Sequence, residues 1–154
     1  MGRFRLAVIA AVGVLALQLW SPGAHADQVY HSQKYALTPV DGAPLRSGFV
    51  ENIHANGPQV YAHELYVLKG ASPASSYQVL LSIWVSNTEC SGDPDLQVPS
   101  DVMSTNEIGN GWGQKIFTPE DADGLRGHTV SAVWQFLLDG APAYETGCEV
   151  LTLD

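Results

Sequence analysis

The stretch Tyr-Gln-Val-Leu-Leu-Ser-Ile-Trp-Val-Ser, residues 77–86, decides the fold class of this chain. Its odd-numbered positions are all apolar or aromatic, whereas Gln78, Ser82 and Ser86 fall among the even-numbered ones. Successive side chains of a β-strand point to opposite faces, so this alternation predicts a strand with one buried face. Residues 128–138 repeat the pattern. The apolar positions of this second stretch are Val130, Ala132, Trp134, Phe136 and Leu138.

Other segments rich in β-branched and aromatic residues predict further strands. They are residues 59–69 and 144–153, with a short edge strand near 35–39. Turn residues separate these segments at 70–73, 106–111 and 139–142. The turn at 106–111 predicts a hairpin that joins 102–105 to 112–117. One helical turn is expected after Thr118, where a proline and two acidic residues suit a helix start.

Short strands at roughly ten-residue spacing, separated by such turns, predict an all-β, antiparallel sandwich or barrel. The layout of residues 48–154 resembles immunoglobulin-like β-sandwiches, which implies about seven strands. The order Cys90, Trp134, Cys148 differs from that of antibody domains, in which the tryptophan follows the first cysteine. The resemblance therefore concerns architecture and implies no functional residue.

Residues 1–26 have the features of a secretory signal peptide. Two arginines precede an apolar run at 6–20, and Ala24 and Ala26 supply the small residues before a cleavage site. The run is shorter than the roughly 20 residues of a bilayer-spanning helix. We therefore expect a secreted protein without a membrane span. Its single domain would be residues 27–154, with a less regular N-terminal segment at 27–46.

The predicted mature domain is strongly acidic. The chain has 7 basic and 16 acidic residues, and loss of Arg3 and Arg5 with the leader leaves a net charge of −11. Such a domain repels phosphate backbones, so no nucleic-acid partner is expected.

The chain has two cysteines, Cys90 and Cys148. In an oxidising compartment a lone pair of cysteines usually forms a disulfide, and we predict that bond here. A redox-active pair would need a close motif such as C-x-x-C, which the sequence lacks.

Two groups of side chains favour an alternative, metal-binding function. His54 and His63 flank a predicted turn, and with a neighbouring carboxylate or histidine they would ligate a transition metal. Asp121 and Asp123 belong to an Asp-Ala-Asp-Gly segment and would supply oxygen ligands to calcium. Both groups have a simpler interpretation as hydrogen-bonding or capping residues. No cofactor is therefore expected, with calcium or a transition metal as the alternative.

The sequence contains no recognisable catalytic motif. His63 and Glu64 begin like the zinc-protease motif H-E-x-x-H, but Val67 occupies the second histidine position in a predicted strand. The nucleophile motifs G-x-S-x-G and S-x-x-K are both missing. An enzyme would therefore need an unfamiliar site.

Two tryptophans are candidate ligand-binding residues. Trp84 falls on the polar side of its strand, and Trp112 lies in an Asn-Gly-Trp-Gly segment of the predicted hairpin. A flat apolar ring with a polar N–H suits sugars and protein partners. We therefore predict a secreted, non-catalytic binding module for an extracellular protein or carbohydrate. A metal-binding protein is the alternative, followed by an enzyme.

Overall fold

The computed structural model describes residues 31–54, 62–85, 87–125 and 127–152. The signal peptide and its cleavage site lie outside these ranges. Within them the chain forms ten strands and one short helix. The elements are β1 (His31–Ala36), β2 (Thr38–Pro39), β3 (Ser47–His54), β4 (Ala62–Lys69), β5 (Ser76–Trp84), β6 (Leu96–Ser104), β7 (Gly111–Phe117), α1 (Pro119–Ala122), β8 (Thr129–Leu138), β9 (Ala141–Glu145) and β10 (Glu149–Thr152).

The strands form two antiparallel sheets. The first sheet has the order β1-β3-β4-β7. The second has the order β2-β9-β8-β5-β6, and β10 also pairs with β8. The prediction of an all-β, antiparallel fold is confirmed. The described residues form ten strands rather than the expected seven, and several of them are short.

The hydrophobic core lies between the inner faces of the two sheets. The ring of Tyr35 in the first sheet stacks on Trp134 in the second, with centroids 5.3 Å apart. Tyr66 and Phe136 meet edge to face across the same gap at 5.9 Å. The two alternating stretches line this core as predicted, since their apolar phase is buried along most of β5 and β8.

The segment 144–153 is two strands rather than the predicted single one. β9 and β10 both pair with β8, and residues 146–148 interrupt the ladder between them. At the interruption the hydroxyl of Thr146 accepts from the backbone N–H of Trp134 at 3.1 Å. This side chain replaces a backbone acceptor, so the chain leaves regular pairing without losing the hydrogen bond.

The predicted hairpin at 102–117 also differs from its expected form. β6 and β7 belong to different sheets, and the bridge between Thr105 and Gly111 is their transition point. Gly109 in this turn has a φ of 75°, and a Cβ atom there would lie 2.0 Å from the carbonyl oxygen of Ala71. The close approach of two backbone segments therefore requires glycine at this position.

The N-terminal segment is more regular than expected. Residues 31–36 and 38–39 are β1 and β2, which lie at the edges of the two different sheets. The chain therefore changes sheets within this segment.

The predicted helical turn is present as α1, followed by a 3-10 turn at Asp123–Leu125. The carboxylate of Asp121 accepts from the backbone N–H of Thr118 at 2.8 Å and from its hydroxyl at 3.0 Å. This is the capping contact that fixes the start of a short helix.

The predicted disulfide joins Cys90 to Cys148, with Cα atoms 5.7 Å apart. It links the loop after β5 to the interruption between β9 and β10. In the described part of the chain, no helix has the length and apolarity needed to cross a membrane.

Candidate functional site

The outer face of the first sheet carries six apolar side chains beside its polar ones, and two of the six are well exposed. Trp112 is 70% exposed and Ile116 is 48% exposed, both on edge strand β7. The backbone register places Val67 beside Trp112 and Phe49 beside Val67. A second row runs from Ile116 through His63 to Ile53. We call this outer surface of β1, β3, β4 and β7 the Trp112 face. The apolar members of the Trp112 face are Phe49, Ile53, Leu65, Val67, Trp112 and Ile116.

The polar groups of the Trp112 face contact each other. Lys34 Nζ lies 3.3 Å from a carboxylate oxygen of Glu51 and 4.9 Å from the centre of the Phe49 ring. The hydroxyl of Ser32 donates to Glu51 at 2.6 Å, and this bond holds the pKa of Glu51 below its ordinary value. The face therefore presents little net charge in a strongly acidic protein.

Trp84 occupies a different environment, because it is buried although the sequence places it on the polar side of its strand. Its side chain is 7% exposed, and its indole N–H donates to the carbonyl of Gly92 at 3.1 Å. The loop at 87–95 returns across the outer side of β5 and covers it. Because this loop covers the outer side of β5, a residue on the polar side of the strand becomes buried. The alternation of polar and apolar residues does not show this.

A second candidate site lies between the two sheets. A cavity of about 60 Å³ is lined mostly by apolar side chains from both sheets. Asn52 and Glu64, each 2% exposed, are its buried polar members. They are directly opposite each other on β3 and β4.

Glu64 is held by two core aromatic residues. One of its carboxylate oxygens accepts from the hydroxyl of Tyr66 at 2.5 Å and from the indole N–H of Trp134 at 2.9 Å. Burial raises the pKa of Glu64 to about 7, although these bonds and the charge of Lys115 act in the opposite direction. Burial and the neighbouring carboxylate also raise the pKa of Tyr66. Below about pH 7 the Glu64 carboxyl is therefore mostly protonated and uncharged.

Two of the residues predicted to bind metal, His63 and Asp121, have side chains in the described part of the structure, and each makes its own local hydrogen bonds. His63 lies on the Trp112 face, where a ring nitrogen is 3.1 Å from the side-chain oxygen of Gln114. Asp121 caps α1 and lies at the mouth of the inter-sheet cavity. The side chains of His54 and Asp123 lie outside the described part of the structure. In the ranges that are described, no group of three or more histidine, cysteine or acidic side chains is close enough to hold a metal ion.

Sequence reasoning missed Asn52 and Glu64 as site residues. Ala62, Glu64, Tyr66 and Leu68 form one alternating phase of β4, and all four are buried. The other phase of β4 contains Leu65 and Val67, so alternation alone does not mark Glu64 as buried. In the sequence, Glu64 stands out only through its place in the partial H-E-x-x-H motif.

Comparison of the chain with protein-family models, with curated proteins and with solved structures finds no match.

Proposed function

We propose that this protein is a secreted, non-catalytic binding module that captures an extracellular protein through the Trp112 face. The observation that carries the proposal is the 70% exposure of Trp112 beside further apolar side chains on the same face. Tryptophan is enriched among the residues that dominate binding energy at protein interfaces. The arrangement of the two sheets also supports an immunoglobulin-like sandwich, a fold that commonly serves recognition.

The Trp112 face is large enough to be the centre of an interface. Four strands about 4.8 Å apart, with about 3.4 Å per residue over five residues, cover about 300 Å². The apolar side chains share this area with polar ones such as Lys34, Glu51 and His63. A standard interface buries about 800 Å² on each partner, so the face would be the centre of a larger contact.

The chemistry of the Trp112 face favours a protein over a carbohydrate. Leu65, Val67 and Ile116 are aliphatic and offer no hydrogen bonds to sugar hydroxyls. His63 and Gln114 already contact each other. A surface that is depleted in free charge and rich in apolar groups matches the core of a protein–protein interface.

Site-specific photo-cross-linking in the producing culture tests this proposal. A photoreactive amino acid replaces Gln114, which is exposed between Trp112 and Ile116, and in a second protein it replaces Gln78, exposed on β5. We expect a discrete cross-linked protein from position 114 only. Trp112→Ala should abolish that product, and Val102→Ala, at another exposed apolar residue, should leave it unchanged.

Three results would contradict the proposal. One is the absence of any product from position 114, and another is the same set of products from both positions. The third is a product that survives Trp112→Ala, because the face would then not hold the partner. A cross-link to another copy of the chain would identify a homodimer instead of a separate partner.

A further inference from the structure

The inter-sheet cavity contains a buried hydrogen-bond acceptor without a partner. The side-chain oxygen of Asn52 is fully buried, and none of the described residues donates a hydrogen bond to it. Leaving a buried acceptor unsatisfied is unfavourable, and each such group in a folded protein calls for an explanation. Asn52 belongs to β3, whose pairing with β4 is regular on both sides of this position.

The surroundings of this acceptor form a small binding pocket. Glu64 lies opposite Asn52, and both of its hydrogen bonds from Tyr66 and Trp134 reach the same carboxylate oxygen. Leu81, Val130 and Leu151 contribute apolar walls from the second sheet. Leu96 is 44% exposed and marks the side on which the cavity meets solvent.

We propose that this cavity binds the hydroxyl end of a small uncharged aliphatic alcohol, with the hydroxyl donating to the side-chain oxygen of Asn52. This site is separate from the Trp112 face, and the proposal does not depend on the function assigned to that face. The alkyl chain leaves the cavity along the apolar walls and passes Leu96.

The size of the cavity limits what enters it. A volume of about 60 Å³ is several times the roughly 10–15 Å³ that a cavity needs to hold one water molecule. It is well below the roughly 150 Å³ that accommodates benzene in an apolar protein cavity. A hydroxyl group and the first carbons of a linear chain therefore fit, whereas an aromatic ring requires the sheets to move.

The charged groups around the cavity favour an uncharged ligand over a carboxylate or an ammonium group. A carboxylate would meet the exposed carboxylate of Asp121 at the mouth and, once the pH passes about 7, the ionised Glu64 inside the cavity. An ammonium group would have to lose its hydration among apolar walls, and Lys115 is near enough to act on Glu64 and repel a second cation. A hydroxyl satisfies the acceptor at a much smaller desolvation cost.

Titration of the isotope-labelled protein with hexanol tests the site by NMR. The indole N–H of Trp134 is the reporter, because it donates to Glu64 in the cavity. We expect a saturable shift of this resonance with hexanol, and no saturable shift with hexanoate or hexylamine at the same concentrations. The three compounds share a carbon chain, so the comparison isolates the head group.

Asn52→Leu is the decisive variant, since it removes the acceptor at similar size. We expect hexanol affinity to fall about tenfold, as for the loss of one buried hydrogen bond. Ser131→Ala is the matched control, because Ser131 is also buried but donates to the carbonyl of Asn87 on the other side of β8. It should change the affinity less than twofold.

A second variant guards against failure of Asn52→Leu to fold. Leu96→Trp enlarges a half-exposed residue at the mouth and should also reduce hexanol binding at least tenfold. The proposal is overturned if hexanol produces no saturable shift up to its solubility limit. Equal binding of hexanoate or hexylamine, or unchanged binding by the folded variants, would also overturn it.

Discussion

The buried carboxyl of Glu64 makes the stability of this protein depend on pH in a defined direction. Its pKa in the folded protein is about 7, against an ordinary value of 4.5. The folded state therefore holds the Glu64 proton more tightly than the unfolded chain does. Stability from this group is complete below about pH 4.5, declines as the pH rises, and is lost once the pH passes about 7.

The expected magnitude follows from the size of the pKa change. Each pH unit between 4.5 and about 7 costs about 1.4 kcal/mol, so the whole loss is about 3 kcal/mol. Glu64→Gln should remove it, because the amide is uncharged at every pH and its oxygen can still accept from Tyr66 and Trp134. The two proteins should have similar stability near pH 4, where Glu64 is protonated.

Urea unfolding followed by tryptophan fluorescence measures this effect. Parallel curves for the natural protein and Glu64→Gln, from about pH 4 to about pH 8, cancel the contributions of all other titrating groups. The variant should become more stable than the natural protein by about 3 kcal/mol over this interval. A difference that changes by less than about 1 kcal/mol would refute the proposed burial of an ionisable carboxyl.

Three further perturbations test the packing and the covalent tie. Trp134→Ala should lower the free energy of unfolding by about 3–5 kcal/mol in urea titrations, because the side chain is fully buried; a loss below about 1 kcal/mol would contradict its core position. Replacing Cys90 and Cys148 with serine should cost about 4 kcal/mol by the loop-closure model, since the bond spans 58 residues. Alkylation of the denatured, unreduced protein should find no free thiol, and two free thiols would exclude the bond. Gly109→Ala should lower the midpoint of thermal unfolding clearly more than Gly42→Ala, because both have positive φ but only Gly109 faces nearby backbone. Equal effects of the two glycine variants would mean that backbone conformation alone, and not the close approach, controls the turn.

The core strands were accessible from sequence because their two faces differ in chemistry. In residues 77–86 and 128–138 one phase is apolar and the other is largely polar, so the side that becomes buried is unambiguous. The helical turn after Thr118 is also predictable from neighbouring residues, because its cap, proline and acidic residues lie within four positions. Local chemistry was sufficient in each of these cases.

The candidate sites depend on contacts that no local pattern contains. Both phases of β4 are rich in apolar residues, so alternation does not tell whether Glu64 or Leu65 is buried. The pairing of Asn52 with Glu64 requires the register between β3 and β4, and the exposure of Trp112 requires that β7 be an edge strand. Trp84 illustrates the opposite case, in which a distant loop buries a residue on the polar phase.

The same loop gives the disulfide a consequence beyond global stability. Cys90 ties the segment that covers Trp84 to Cys148, which lies next to the final strand. When a reductant cleaves that tie, the cover keeps only hydrogen bonds to the strands among the described residues. The indole N–H of Trp84 donates to the carbonyl of Gly92, the backbone N–H of Val85 to the carboxylate of Asp95, and the hydroxyl of Ser131 to the carbonyl of Asn87. We expect reduction to turn the cover into a hinged flap, so that proteases cleave near residues 87–95 while both sheets remain folded. The rate at which proteases degrade the protein would then depend on the thiol concentration around it as well as on the stability of its core.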